Sequence, residues 1–349
     1  MKCTIQNIAD HLGLSRNTVS KALKNSSEVS ENTRNLVIKT ASKLGYKNAT
    51  FATPVIPASE TGSNGTILFL TRTYASDSEF WTTVLRGIES ILSNANYHLA
   101  ISIMSDSDLK QLNFPQTISD SSIKGIILVE ICDKVVCDAL SQFNLPIVSV
   151  DMPNVPFEEL NGIDVVTMES KKNLKKIINQ LIEKGAESFG FVGDLYSPNV
   201  SRGFQERYNA LSECLAEHQL PLNQKNCLLH QTPEDFRNFQ TTVNNLQAMI
   251  SLPDVFICGN DWTAIQLIYA LQFLGFQIPK DICVVGFDNI PAASRISPSL
   301  TTISTPQKYL GIAAARQILE RIQHPNCTHV FCQYETELII RNSTNIISF

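Results

Sequence analysis

The tightest constraint on this chain lies in its first 46 residues, where apolar positions recur at helical spacing around one glycine. Ile5, Ile8, Ala9 and Leu12 share a face, and Thr4 stands before them as a helix cap. Gly13 stops that helix. Ser15 is placed to cap a second, in which Val19, Ala22 and Leu23 point inward and Arg16, Asn17, Ser20, Lys21 and Lys24 point outward. Ser30 caps a third, with Val37, Ile38, Ala41 and Leu44 as its inner face and Gly45 as its stop. Two short helices around a glycine turn, with a third to close the core, make a helix-turn-helix.

The outward residues have the chemistry of duplex recognition. Arg forks onto guanine and Asn onto adenine in the major groove, while Lys and Ser reach phosphates or base edges. Charge agrees. Residues 1–50 carry a net +5, whereas the whole chain carries −5, so the remainder is at −10. A basic head on an acidic body is the footprint of a nucleic-acid module joined to a separate globular part. On spacing alone, an ordinary helical subdomain with a wet face stays open.

The segments TIQNIADHLGLSRNTVSKALK, VSENTR and ASKLGY resemble the N-terminal domain of the LacI/GalR family of bacterial transcription regulators. The resemblance implies a DNA-binding domain over residues 1–47. Arg16, Asn17, Ser20 and Lys21 would read bases, and Ser15, Thr18, Thr33 and Arg34 would hold the backbone.

At 349 residues the chain exceeds one compact core. No apolar run approaches a membrane span, and the start lacks the apolar stretch of a secretory signal, so a cytoplasmic protein is expected. The nine cysteines are scattered, form no CxxC and have no histidine at metal-ligand spacing. No metal and no cofactor are expected, and the thiols read as reduced. A redox switch through Cys132 and Cys137 is the weak alternative.

Residues 48–64 read as a linker, since Pro54, Pro57 and Gly62 forbid a long helix. In the family this stretch carries a short hinge helix with an Ala-Arg pair and a wedging Leu. Here Ala52-Thr53-Pro54 and Val55 occupy those places, so the hinge pattern is altered. From Gly65 the pattern alternates. Apolar strands such as Thr66–Thr71, Gly125–Glu130, Ile147–Asp151 and Ile282–Phe287 are separated by helical stretches such as Glu79–Ala95, Lys172–Lys184 and Trp262–Leu274. That βαβ rhythm predicts an α/β class with parallel sheets covered on both faces. Residues Pro253–Ile303, Leu181–Asp194 and Glu337–Thr344 resemble the two-subdomain, periplasmic-binding-protein-like (Rossmann-like) core of the same family. The resemblance implies an effector-binding and dimerisation core over 65–349. Its N-subdomain would span about 65–166 and 297–325, and its C-subdomain about 167–296 and 326–349.

Ligands of such sheets sit beyond the carboxyl ends of the strands. Asp151 and Asp288 end strands there, Asn260 and Asp261 end another, and Arg207 opens a helix. Carboxylate, amide and guanidinium together satisfy several hydroxyls at once. Phe80 and Trp81 offer faces for a sugar ring. The resemblance implies effector-binding roles for Phe80, Trp81, Asp151, Arg207, Asn260 and Asp288, and a structural one for Asp261. Trp262 follows directly and is assigned to the pocket or to a dimer face. Glu169, Ser170, Asn173, Ala210 and Asn289 depart from residues frequent in the family.

The expectation is a homodimeric, sequence-specific repressor of a carbohydrate operon. It would bind a double-stranded operator under control of a sugar or sugar phosphate, and it would not be an enzyme. Nucleophile motifs, P-loops and metal clusters are missing from the sequence. A solute-binding protein is the alternative from another class, and the basic head argues against it. A regulator worked by a corepressor protein is the alternative within the class. The stop at Phe349, with no leucine heptads, points to a dimer rather than a tetramer.

Overall fold

A computed structural model describes residues 4–23, 29–30, 33, 36–37, 40–41, 63–72, 78–131, 133–151, 155–195, 202–230 and 238–344. The chain divides into two compact units, Met1–Gly62 and Ser63–Phe349.

In the first unit, α1 (Ile5–Leu12) begins where Thr4 and Asn7 cap one another. The Asn7 N–H donates to Thr4 Oγ1 at 3.3 Å, and the Thr4 N–H donates to Asn7 Oδ1 at 2.9 Å. It ends at Gly13, whose φ of +64° suits a residue without Cβ. Helix α2 (Arg16–Leu23) opens on Ser15, whose Oγ accepts from the Thr18 N–H at 3.0 Å. Ile8, Ala9, Val19, Ala22, Val29, Val37 and Ala41 bury a common core. Residues 33, 36–37 and 40–41 are helical. The rest of that expected third helix, including Ile38, Leu44 and Gly45, and residues 48–62 of the expected linker, lie outside the described residues.

The second unit holds two six-stranded sheets. The first comprises β1 (Gly65–Thr71), β2 (Tyr97–Ile103), β3 (Ile123–Val129), β4 (Ile147–Val150), β5 (Ile163–Met168) and β11 (Phe331–Tyr334), all parallel, in the order β11-β5-β4-β3-β1-β2. The second comprises β6 (Phe189–Asp194), β7 (Leu228–His230), β8 (Val255–Cys258), β9 (Cys283–Asp288), β10 (Thr301–Ser304) and β12 (Glu337–Ile339), in the order β12-β10-β9-β8-β6-β7, with β12 antiparallel to β10. Strands β4, β8 and β9 are buried along their whole length. That explains why they read as continuous apolar runs rather than alternating ones.

The crossover helices are α3 (Glu79–Asn94), α4 (Asp106–Gln111), α5 (Lys134–Ser141), α6 (Lys172–Glu183), α7 (Arg202–Glu217), α8 (Phe239–Ala248), α9 (Asp261–Phe273) and α10 (Gln307–Gln323). The strand pairings move the expected subdomain boundaries. Strand β5 runs to Met168, so the first passage between sheets follows it rather than falling at Asp164–Thr167. Thr301–Ser304 pairs with β9 in the second sheet, although the sequence reading gave it to the first subdomain, so the second passage follows Ser304 rather than Ser297. Phe331–Tyr334 pairs with β5 in the first sheet, so the third passage is at 335–336 rather than near Asn326. Each shift has one cause. Which strand a short segment joins is set by its tertiary partner, not by its own period.

The sequence reading also missed α10. Its buried residues, Gln307, Leu310, Gly311, Ala314, Ala315, Ile318 and Arg321, recur at helical spacing but are polar at both ends and small in the middle. It lies so close to α3 that a Cβ on Gly311 would sit 2.0 Å from Val84 O, and one on Gly87 2.3 Å from Lys308 O. Gly311→Val therefore overpacks backbone against backbone. We expect a loss of about 3 kcal/mol in urea unfolding; a change below about 0.5 kcal/mol would show that the helices separate freely.

Candidate functional sites

In the first unit, α2 carries the candidate nucleic-acid ridge. Val19 and Ala22 are buried, which turns Arg16 and Asn17 fully outward and leaves Ser20 and Lys21 half-exposed. The hydroxyls of Ser15 and Thr18 meet at 2.8 Å, and those of Ser30 and Thr33 do the same at 2.8 Å. These residues shape helix N-termini, whose backbone N–H groups suit phosphate. Arg34 lies outside the described residues.

In the second unit, the strand ends bring acidic residues forward. Asp151 follows β4 with φ +86°, Asp288 ends β9 with φ +113°, and Glu130 follows β3 with φ +57°. Left-handed backbone at a non-glycine residue costs about 1–3 kcal/mol and persists only where neighbours impose it. Here they do. Ser149 Oγ donates to Asp151 O at 2.8 Å, while Thr305 Oγ1 and Gln307 Nε2 donate to Asp288 O at 3.1 and 2.6 Å.

Arg207, on α7, is only 3% exposed. Its guanidinium lies 3.6 Å from the centroid of the Phe287 ring and 5.6 Å from that of Phe204, and it donates to Gly259 O at 2.5 Å. Its Nε is buried without a hydrogen-bond partner. Burial lowers the Arg207 pKa, opposed first by Asp288 and then by Asp151, Glu206 and Asp261. Burial likewise pushes the Asp288 carboxyl well up, against the pull of Arg207. Asp151 belongs to the first sheet, Arg207 and Asp288 to the second. Asp288 and Asp151 both act on the buried Arg207 charge, one from each sheet.

Asn260 caps α9, its Oδ1 accepting from the Thr263 N–H at 2.9 Å and from Thr263 Oγ1 at 2.7 Å. Its amide N–H₂ is what it can offer a guest. Asp261 is fully buried and accepts from Thr302 Oγ1 at 2.5 Å and the Ile290 N–H at 2.9 Å. Burial raises its pKa to about 7, and those hydrogen bonds oppose the rise. This is a turn-fixing role.

Phe80 turns inward. It is 6% exposed and packed in the apolar core, edge-on to Trp81 with centroids 4.6 Å apart. Its place one residue into α3 turns it inward, and Trp81, partly buried, packs against the same core. Trp81 Nε1 donates to Glu130 Oε1 at 2.6 Å. Sequence reasoning passed over Glu130, although ILVE ends an apolar run in an acid just as IVSVD does. Trp262 is exposed on α9 together with Tyr269 and Phe273, spaced as one helix face.

The departures from family pattern serve the frame. Glu169 Oε1 accepts from the N–H groups of Lys171 and Lys172 at 2.6 and 2.7 Å, and Asn173 Nδ2 donates to Thr336 O at 2.7 Å. Asn289 Oδ1 accepts from Arg341 Nη2 at 2.7 Å. Ser170 and Ala210 are buried. The Cys137 thiol is also buried, which pushes its pKa to about 12 and works against thiolate chemistry. Cys132 lies outside the described residues. Among the described residues no cluster of metal-ligating side chains occurs, and no helix is long and apolar enough to cross a membrane.

Residues 4–48 match the bacterial regulatory proteins of the lacI family, and residues 178–344 match the periplasmic binding protein-like domain. The ribose operon repressor of Haemophilus influenzae is 27% identical over 344 residues, covering 97% of this chain and 98% of that protein. A LacI family transcriptional regulator from Enterococcus faecium, solved with bound ribose, superposes with a TM-score of 0.66 at 24% identity, covering 80% of this chain and 98% of that one. The lac repressor dimer bound to operator and an anti-inducer superposes with a TM-score of 0.66 at 19% identity, covering 99% of each chain. An N-terminal helix-turn-helix followed by two parallel sheets, with matches running nearly the full length, admits one conclusion: the chain belongs to the LacI family of bacterial regulatory proteins.

Proposed function

We propose that this chain is a cytoplasmic, homodimeric repressor of a carbohydrate operon, released from or held on its operator by a small polyhydroxylated effector, without catalysis. What supports this is the buried Arg207, whose charge Asp288 of its own sheet and Asp151 of the other both act on, in a chain that also displays Arg16 and Asn17 on a helix face. The ribose named in two of the similar proteins supports a carbohydrate.

Arg16, Asn17, Ser20 and Lys21 read base edges, while Ser15, Thr18, Thr33 and Arg34 hold phosphates. Trp81, Asp151, Arg207, Asn260 and Asp288 hold the effector, with Phe80 as support behind Trp81. Two half-sites demand two heads, and the exposed face Trp262, Tyr269 and Phe273 offers apolar surface to a second copy.

The effector acts through its difference in affinity between arrangements of the two lobes. Arg202 Nη1, opening α7, donates to Val155 O of the other lobe at 2.9 Å. Thr305 and Gln307, in the second passage between sheets, hold the carbonyl of Asp288. A guest on Asp288 therefore pulls on a hinge segment directly.

Fluorescence anisotropy against DNA upstream of the chain's own operon tests the reading. Arg16→Ala and Asn17→Ala should each weaken specific binding by about 1–3 kcal/mol and relax base preference at one position. Equal loss on every sequence would reduce both residues to phosphate contacts. Absence of any salt-sensitive, sequence-selective binding would overturn the function.

A further inference from the structure

Strand β9 ends in an elbow that distant parts of the chain hold in place. Asp288 and Asn289 are successive non-glycine residues with φ of +113° and +55°. Two left-handed residues in a row persist only where neighbours over-determine them. One hold comes from Arg341, two residues beyond β12. Its Nη2 donates to Asn289 Oδ1 at 2.7 Å and its Nη1 to Leu300 O at 2.8 Å. The Arg341 N–H donates to Thr301 Oγ1 at 2.8 Å, and that hydroxyl donates to Arg341 O at 3.0 Å. The arginine is therefore pinned at its backbone as well as at its tip.

Another hold comes from the sheet. The Asn289 N–H donates to Thr302 Oγ1 at 3.3 Å, and the Ile290 N–H to Asp261 Oδ2 at 2.9 Å. The last comes from the second passage between the sheets. Asn289 Nδ2 donates to Ser304 Oγ at 3.1 Å, at the end of β10. The Asp288 carbonyl accepts from Thr305 and from Gln307, which opens α10. The Asn289 amide thus has its acceptor end on Arg341 and its donor end on Ser304. One end meets a fixed post, and the other meets the chain that leaves for the first sheet.

Resting on the assignment of Asp288 to the effector above, we infer that Asn289 and Arg341 are positioning residues for the effector response. Arg341 braces the Asn289 amide, so a guest's pull on Asp288 is delivered to Ser304 and the second passage instead of being absorbed by the loop. Neither residue has to touch the guest. An amide suits this post because it offers an acceptor and a donor at opposite ends. A carboxylate serves as well. It accepts from Arg341 with the help of charge, and it accepts from the Ser304 hydroxyl, which turns from acceptor to donor. Leucine fills a similar volume and offers neither bond.

Two measurements on the full chain separate positioning from binding and from folding. Calorimetry gives the affinity for D-ribose, with D-glucose and D-galactose as further probes. Anisotropy on labelled DNA from upstream of the chain's own operon, with and without saturating sugar, gives the response as a ratio of two operator affinities. Asn289→Leu, Arg341→Met and Ser304→Ala should each lower that ratio at least about threefold, while the affinity for sugar changes by less than about threefold. Asn289→Asp should keep the ratio. Ser304→Ala removes a single hydroxyl and carries the test should the larger changes fail to fold.

A ratio kept in any of those three variants overturns the inference, even where the melting temperature falls, because a purely structural bond shows itself only there. So does a ratio lost in Asn289→Asp, which retains both bonds. A loss of sugar affinity of about 100-fold in Asn289→Leu would put Asn289 among the groups that touch the guest and end its positioning role. Each of these results leaves the effector site standing. A wild type that binds none of the sugars takes down the effector reading and this inference with it.

Discussion

Replacing Asp164 with alanine should cost the second unit about 3–5 kcal/mol, a fall of about 10 °C in its melting temperature. Asp164 is 1% exposed at the start of β5. Its Oδ2 accepts from Arg321 Nε at 3.0 Å and Gln317 Nε2 at 3.0 Å, and its Oδ1 accepts from Arg321 Nη2 at 2.8 Å and the Val330 N–H at 2.8 Å. One carboxylate thus ties β5 to α10 and to the segment leading into β11. Arg321 also donates to the carbonyls of Cys327 and Thr328.

The cost of Asp164→Ala comes from what remains, a guanidinium shut away from water without its anion. The double change Asp164→Ala with Arg321→Met should therefore lose less than Asp164→Ala alone. A double variant that loses as much as both single changes added together would refute the argument.

The pH dependence follows. Burial raises the Asp164 pKa, but the bonds from Arg321, Val330 and Gln317 outweigh it, so the folded carboxyl titrates below its ordinary value. Its stabilisation is complete above the unfolded carboxylate pKa of about 3.9. It is lost as pH falls through the lower, folded value. Acid unfolding of the wild type should contain this contribution, and Asp164→Ala should lack it.

Replacing Arg207 with alanine should abolish the response to effector while leaving operator binding intact. The guanidinium offers its positive charge to Asp288 and Asp151. Without it the Asp288 carboxyl loses the charge that opposes its rise, and a hydroxyl-bearing guest loses its cationic donor. We expect at least about a 100-fold loss in affinity for the sugar that the wild type binds. Arg207→Lys should not restore it. An ammonium neither lies flat on the Phe287 ring as a guanidinium does, nor bonds Gly259 O while keeping further donors in plane. Calorimetry measures the affinity and anisotropy on labelled operator measures the response. A variant that still answers the sugar at wild-type concentration would remove Arg207 from the site.

The places of Asp151 and Asp288 at strand ends were legible because strand-end acids announce themselves. An apolar run closing in Asp, as in IVSVD or VVGFD, places a carboxylate at the carboxyl edge of a buried strand. Glu130 carried the same signal and was passed over because its run ends in Glu. For Phe80 the pattern was silent, because an aromatic at a helix start looks the same whether it turns in or out; the packing of α3 turned it inward.

Local pattern alone determined the caps at Thr4 and Ser15, the left-handed stop at Gly13, the outward face of α2 and the parallel α/β rhythm after Gly65. Each depends on neighbours within a few residues, where sterics and hydrogen bonding act without knowledge of the rest. Only the tertiary structure decided that Thr301–Ser304 joins the second sheet and Phe331–Tyr334 the first, that Gly87 and Gly311 let two helices touch, and that Asp164 meets Arg321. Those pairings span long stretches of chain. Their energy comes from burial and charge shared between distant residues, and no window of sequence contains both partners.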